Sequence, residues 1–489
     1  METDIQPTIT TQTKYTGRTL AFYNHFEQLA QKYKSYKQRF SYYWKDIVRY
    51  CNYFIHDEDS VIEIGCGVGD SLNGYKGIKK VGIDFSPSMI DVAKANYPNL
   101  EFHLMDAANI TLDQKFDVVI LSNVIGYFDN IEDVLLQLKK VCHDRTKLIV
   151  SYYNHSWEPL INFAEFIGLK KKSPVQNWLS EQDISNLLYL SGFETFKSKR
   201  RMIIPVWIPI LSWFFNKYIA NLPFFNRFGL SKFVFARRMA FKSSEEVSKK
   251  YSTTVVIPAR NESGNIEDAI LRLPKFGKHV EIIFVEGNST DDTWEKIQEI
   301  QAKYKDTHDI KITQQEGKGK GDAVRKGYAM ATGDILMILD ADLTVPPEDI
   351  PKFYDALATS KGEFINGCRL IYPMESQAMR FLNTLGNKFF SKVFSWLLEQ
   401  PIKDTLCGTK VMFRTDYNRL IANRAFFGEF DPFGDFDLLF GAYKLNLKII
   451  DLPIRYRDRT YGDTNISRFK HGLLLLKMCW FASGKIKFW

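Results

Sequence analysis

A chain of 489 residues is too long for one hydrophobic core, and 25% charged with 45% hydrophobic residues is the make-up of folded protein, not of a disordered or repetitive chain. The net charge of +8 suits phosphate-bearing ligands or an anionic membrane surface and is too weak to argue for nucleic acid. Six widely spaced cysteines without a C-x-x-C pair point to neither a zinc knuckle nor a disulfide framework, and a reducing cytoplasm fits them best.

Residues 1–17 are polar, lack the apolar core of a secretory signal, and read as a disordered lead-in. β-Branched runs then alternate with helix-like stretches over 18–241 and again over 253–489, with a polar, charge-rich linker at 242–252. This pattern predicts an α/β chain of two tandem doubly wound domains, each with a mostly parallel sheet and a ligand site at the carboxyl ends of its strands.

In the first domain, SVIEIGCGVGDS is a short apolar strand running into Gly65, Gly67 and Gly69, which let the backbone turn tightly beside a ligand. The next strand, KKVGID, ends at Asp84, placed to accept hydrogen bonds from a ribose diol; a third ends at Asp106 and Ala107, and DVVILSN ends at Asn123. A nicotinamide-binding domain is the rival, but its third glycine, counted from Gly65, would fall on Asp70.

These residues resemble the class I S-adenosylmethionine-dependent methyltransferases over about 40–240. The resemblance implies a Rossmann-like fold with S-adenosylmethionine as cofactor. Glu63, Gly65, Gly67, Gly69 and Asp84 would lie at its methionine and ribose, and Asp106, Ala107 and Asn123 would border the adenine. The aromatic N-terminal region (Phe22, Tyr23, His25, Phe26, Tyr42, Tyr43, Trp44) reads as a lid over that cleft, chiefly packing, with His25 and Tyr43 its acid–base candidates. The methyl acceptor is not legible.

The second domain opens with TTVVIPARNESGNI, a strand that breaks at Pro258 into a turn bearing Ala259, Arg260 and Glu262. EIIFVEG then ends at Glu286, which could meet a nucleobase edge or ribose, and QEGKGKGDAVRKG brings Lys318, Lys320 and glycine amides to a diphosphate. The apolar strand DILMILDADLTVPPE ends in Asp340-Ala341-Asp342, two carboxylates able to share a hard divalent cation with phosphate oxygens.

This order resembles the inverting family 2 glycosyltransferases of the GT-A fold over about 253–477. Within them it is most similar to polyprenyl-phosphate mannosyl- and glucosyltransferases, through DADLTVPPE, INGCRL, DTLCGTKVMFR and RDRTYGDTNIS. The likeness implies a UDP- or GDP-sugar donor at Pro258, Ala259, Arg260, Glu262, Glu286, Lys318 and Lys320, and Mg or Mn at Asp340 and Asp342. It also implies a polyprenyl-phosphate or glycan acceptor, with Arg369 and Arg459 on an acceptor phosphate. A phosphate acceptor is already ionised, whereas a hydroxyl acceptor needs a base, for which Asp435 and Asp437 are the candidates.

The whole then reads as a bifunctional cytoplasmic enzyme. One alternative keeps the first half as a non-catalytic cofactor-binding or scaffold module, and another makes the second half a soluble glycan-decorating enzyme. The longest apolar stretches, 202–215 and 472–483, are too short to span a bilayer but flanked by Lys and Arg, so each reads either as an interfacial segment on the inner face of the membrane or as ordinary packing.

Overall fold

The computed structural model describes residues 15, 17–168, 176–371, 381–422, 434–455, 457, 461 and 468–489. Contacts divide the chain into two compact units, Met1–Met239 and Ala240–Trp489.

The first unit is built on β1 (Ser60–Ile64), β2 (Lys79–Asp84), β3 (Glu101–Leu104), β4 (Phe116–Ser122), β5 (Cys142–Tyr153), β6 (Phe193–Arg201) and β7 (Ser231–Arg238), in the order β3-β2-β1-β4-β5-β7-β6. β7 runs antiparallel to both neighbours, and the other pairs are parallel. The central strands are apolar on both faces because helices cover both: Ile62, Ile83, Val119 and Val150 on one face and Val61, Ile120 and Ile149 on the other are sealed from solvent. Strand order reverses between β1 and β4, which opens a crevice at their carboxyl ends.

The second unit holds β8 (Ser252–Ala259), β9 (His279–Glu286), β10 (Asp309–Gln314), β11 (Ile335–Ile338), β12 (Phe364–Cys368), β13 (Lys410–Phe413) and β14 (Ile449–Pro453), ordered β10-β9-β8-β11-β13-β12-β14. Here β13 is the antiparallel member, between β11 and β12. Its core, including Val255, Ile257, Phe284, Met337, Phe353 and Val411, is as dry as the first.

Both sheets are the mostly parallel α/β layers expected. The stretch read as a linker is ordered: Ser244–Val247 forms a helical turn, Val247 is buried, and its carbonyl accepts from Tyr354 Oη at 2.6 Å. At the other end, the lead-in reading meets Tyr15, which lines a cavity, and a helix that already begins at Gly17. No helix of the described residues is long and apolar enough to cross a membrane.

Candidate active sites

A cavity of about 460 Å³ lies at the carboxyl ends of the first unit's strands, a size suited to a nucleoside-bearing ligand. Gly65, Gly67, Asp84, Asp106, Ala107 and Asn123, read separately along the sequence, all line it. Gly65 has φ 71 and faces Val124 so closely that any Cβ there would clash, so only glycine lets the turn hug the end of β4.

The Gly67 amide donates to Asp84 Oδ2 at 2.9 Å and the Ser86 amide to Oδ1 at 3.0 Å, fixing the carboxylate at the rim of β2. Burial pushes the Asp84 carboxyl up to about 6 although those amides pull the other way, and Glu27 adds to the rise.

Two expected contacts are absent from that wall. Glu63 is buried in mid-strand, with Tyr75 Oη 3.5 Å from its Oε1, and Gly69 is walled off by the Phe102 and Tyr97 rings that a Cβ would strike. The spacing of a glycine turn does not reveal which members face the ligand.

Helix Gly17–Arg39 closes the cavity, as the aromatic lid predicts. Its Leu29 and Ala30 pack on Val68 and Met89, while Phe22, His25, Phe26 and Tyr33 line the wall. Glu27 accepts from the Ser86 and Ser88 hydroxyls, the latter at 2.6 Å, and so straps the lid to the helix after Asp84. Trp44 and Tyr153 complete the wall. Tyr43 is buried behind it, its ring stacked on Tyr153 and its hydroxyl 3.1 Å from Asn123 Oδ1, and burial raises its phenol well above the usual range.

Tyr15 was missed because it sat in a stretch read as lead-in. It lines the cavity, and burial followed by the neighbouring Asp106 pushes its hydroxyl up to about 12.

In the second unit, Lys320 Nζ lies 2.5 Å from Asp340 Oδ1. Burial opposes ionisation of Asp340, but Lys320, then Lys410 and Arg369, outweigh it and hold the carboxyl below its ordinary range. Asp342 Oδ1 accepts from the Thr344 hydroxyl at 2.8 Å and amide at 3.1 Å, and Leu343 between them takes φ 51, a tight turn at the strand end.

Gly408, just before β13, faces Asp340 and Lys320 with no room for a Cβ, and Gly434 packs equally closely on Gly321. Asp437 lies 4.0 Å from Arg325, which stands on the helix that Lys320 opens. Asp435 begins the helix Asp435–Lys444, but its side chain lies outside the described residues, as does Arg459 entirely.

Other predicted contacts are engaged within the protein. Glu286 is buried, with Oε1 taking the Ser289 amide at 2.5 Å and Oε2 the Gln314 amide nitrogen at 3.0 Å. Glu262 is buried against Asn265, 2.8 Å away, whereas Arg260 and Lys318 are exposed, and Ala259 and Pro258 close β8. Arg369 is forked onto buried Asp404, Nε to Oδ2 at 2.7 Å and an NH2 nitrogen to Oδ1 at 2.8 Å.

Sequence reading missed Gly408, Arg325 and Tyr461. Tyr461 covers Gly264 in the turn after β8, and the Arg457 amide donates to Thr344 O, after β11, at 3.1 Å.

Geometry therefore defines two α/β units, with motif side chains lining a cavity at the strand ends of the first and gathered around Asp340 at a strand end of the second. The models for "Methyltransferase domain" and "Glycosyl transferase family 2" match residues 33–198 and 254–427, so the chain carries a methyltransferase domain followed by a family 2 glycosyltransferase domain.

A dolichol-phosphate mannosyltransferase of Pyrococcus furiosus is 39% identical over 107 residues, covering 21% of this chain and 29% of that one. The Saccharomyces cerevisiae dolichol-phosphate mannosyltransferase is 35% identical over 117 residues, 23% and 42% of the two chains, so the match spans less than half the length of either relative. Among solved structures, a Thermotoga maritima SAM-dependent methyltransferase, described as a possible histamine N-methyltransferase, is 16% identical over 44% of this chain and 99% of its own, with TM-score 0.35.

Proposed function

We propose that the chain is bifunctional, its first domain transferring methyl from S-adenosylmethionine and its second a sugar from a UDP- or GDP-sugar to a polyprenyl phosphate or glycan. The observation that carries this is alike in both units: residues scattered through the sequence come together at strand ends, Gly65, Asp84, Asp106 and Asn123 lining a cavity in one, Lys320 and Gly408 meeting Asp340 in the other.

In the first domain, the clash-limited Gly65 turn and the amide-anchored Asp84 carboxylate fit a nucleoside whose ribose hydroxyls donate to Asp84. The aromatic lid excludes water from the transfer. Among the described residues the cavity wall holds Asp84, Asp106, Asp129 and Asp133 and no Lys or Arg, a field that suits the cationic cofactor. An uncharged or cationic methyl acceptor suits those four carboxylates better than a phosphorylated one. His25 lines the wall and is the better placed base, whereas buried Tyr43 keeps its proton.

In the second domain, the carboxylates of Asp340 and Asp342 are the hard oxygen donors that Mg or Mn prefers, and Lys320 now supplies positive charge at that position. The ion would stabilise the departing diphosphate. Lys320 is placed to move from Asp340 to a donor phosphate, and Lys318 stands exposed beside it. Because Glu286 spends its oxygens on the Ser289 amide and on Gln314 at the end of β10, it shapes the base pocket rather than reading the base. Arg369, held by Asp404, reaches an acceptor phosphate with its outer edge.

A thermal-shift panel tests the donor: a UDP- or GDP-sugar should stabilise the protein only with Mn, and Asp340→Asn should abolish the shift. Radiolabelled sugar extracted into organic solvent supports the lipid acceptor. Purely aqueous product rejects it in favour of a glycan.

A further inference from the structure

The segment between β6 and β7 is built inside out. Helix Leu211–Lys217 buries only Ser212, while Leu211, Trp213 and Phe214 face solvent. Its uncharged polar side chains turn inward: Ser212 Oγ accepts from the Ile208 amide at 2.8 Å and donates to Val206 O at 2.7 Å. Asn216 Oδ1 likewise receives the Ile203 and Ile204 amides at 2.8 and 2.9 Å. The turn that follows repeats the pattern, Asn226 donating inward to Arg200 O at 3.0 Å while Phe224, Phe225 and Phe228 are exposed.

Water-soluble surfaces do the reverse, and contiguous exposed aromatic surface marks a binding face. Ile210 is 79% exposed and held at φ 63, a conformation β-branched residues rarely adopt. Trp157 Nε1 donates to Phe228 O at 2.8 Å, and the helix it leads into, Glu158–Phe166, buries none of its residues and exposes Leu160, Phe163 and Phe166.

We propose that residues 206–228 are a docking face for an anionic phospholipid bilayer. Charge selects this occupant. From Thr195 to Ser244 the chain has no aspartate or glutamate. Arg227 is exposed and lies 3.9 Å from the Phe224 ring centroid, and Lys217 lies 5.8 Å from that of Trp213. Tryptophan and phenylalanine flanked by cations are the side chains that settle at the headgroup boundary of an anionic leaflet. A second copy of the chain would bring these cations against their own kind. The face serves the methyltransferase domain and needs no particular acceptor in the second.

Flotation of the full chain with vesicles tests it, using phosphatidylcholine alone or mixed with phosphatidylglycerol and containing no polyprenyl phosphate. Binding should be strong to the mixed vesicles and weak to the neutral ones. Trp207→Ser/Trp213→Ser/Phe224→Ser should lose at least tenfold in partition, and Lys217→Glu/Arg227→Glu should abolish the preference for anionic lipid. Should the triple variant fail to fold, quenching by brominated lipid serves instead: the unaltered chain should be quenched, and Trp207→Phe/Trp213→Phe should lose most of that signal. An unaltered chain that stays off mixed vesicles, a triple variant that floats as well as the parent, or self-association abolished by the triple change without any lipid binding overturns the proposal.

Discussion

Asp84 couples two pH dependences of opposite sign. Its folded pKa, about 6, lies above the usual carboxylate value. Its contribution to the stability of the ligand-free protein is therefore fully present below about pH 4 and lost as pH rises through about 6. Ribose hydroxyls need the ionised form, so S-adenosylmethionine affinity should instead rise as pH climbs through about 6. Calorimetric titration from pH 5 to 8 checks this, and a flat profile removes Asp84 from the ribose. Asp84→Asn places an amide against the Gly67 or Ser86 N–H, and affinity should fall at least tenfold at pH 7.5, about 1.4 kcal/mol. At the other site, the Lys320 ammonium pairs with Asp340 and would compete with a cation for it. Lys320→Ala should strengthen Mn binding without nucleotide, read as loss of the free-ion resonance signal, yet slow sugar transfer about 10²-fold. Weaker Mn binding in the variant would show that Lys320 holds the carboxylate in place rather than competing for it.

Among the elements, helix Gly17–Arg39 depends for its position on the Glu27 strap to Ser86 and Ser88, made two residues and four residues beyond Asp84. Glu27→Gln removes a charge that raises the Asp84 pKa as well as loosening the lid. The affinity midpoint should move to lower pH, and KM for S-adenosylmethionine should rise several-fold. A midpoint that moves upward contradicts the assigned coupling. The strand-end motifs were legible because each is a short segment whose glycines and acids sit where a parallel strand must end. What a motif cannot say is orientation. Glu63 and Gly69 belong to the same turn as Gly65, yet one points beneath it to Tyr75 and the other into Phe102. Partners from antiparallel or distant segments were equally hidden: Gly408 reaches Asp340 only because β13 is inserted between β11 and β12, and Tyr461 reaches Gly264 by a return of the chain that no local pattern announces. The apolar stretch at 202–215 was ambiguous for the same reason. Packing and interfacial segments share a composition, and only the inward turn of Ser212 and Asn216 separates them. The tail helix Arg468–Ile486 shows the mixed case, with Met478 and Cys479 packed beneath while Leu473 and Trp480 face out.

At the scale of the whole chain, each unit closes its own sheet and keeps its own dry core, Ile62, Val119 and Val150 in one and Val255, Phe284 and Met337 in the other, so each has what an independently folding domain requires. Unfolding should therefore resolve into two transitions, each answering to its own ligand. A ligand at a hundred times its dissociation constant stabilises the state it binds by about 2.7 kcal/mol. For units of this size that corresponds to a rise of about 5–10 °C. S-adenosylmethionine should lift one transition alone, and a nucleotide sugar with Mn should lift only the other. Division of the chain between Met239 and Ala240, where contacts separate the units, should give two fragments that reproduce these shifts. If either ligand lifts both transitions together, or the fragments melt without cooperativity, the domains stabilise one another and share one folding equilibrium.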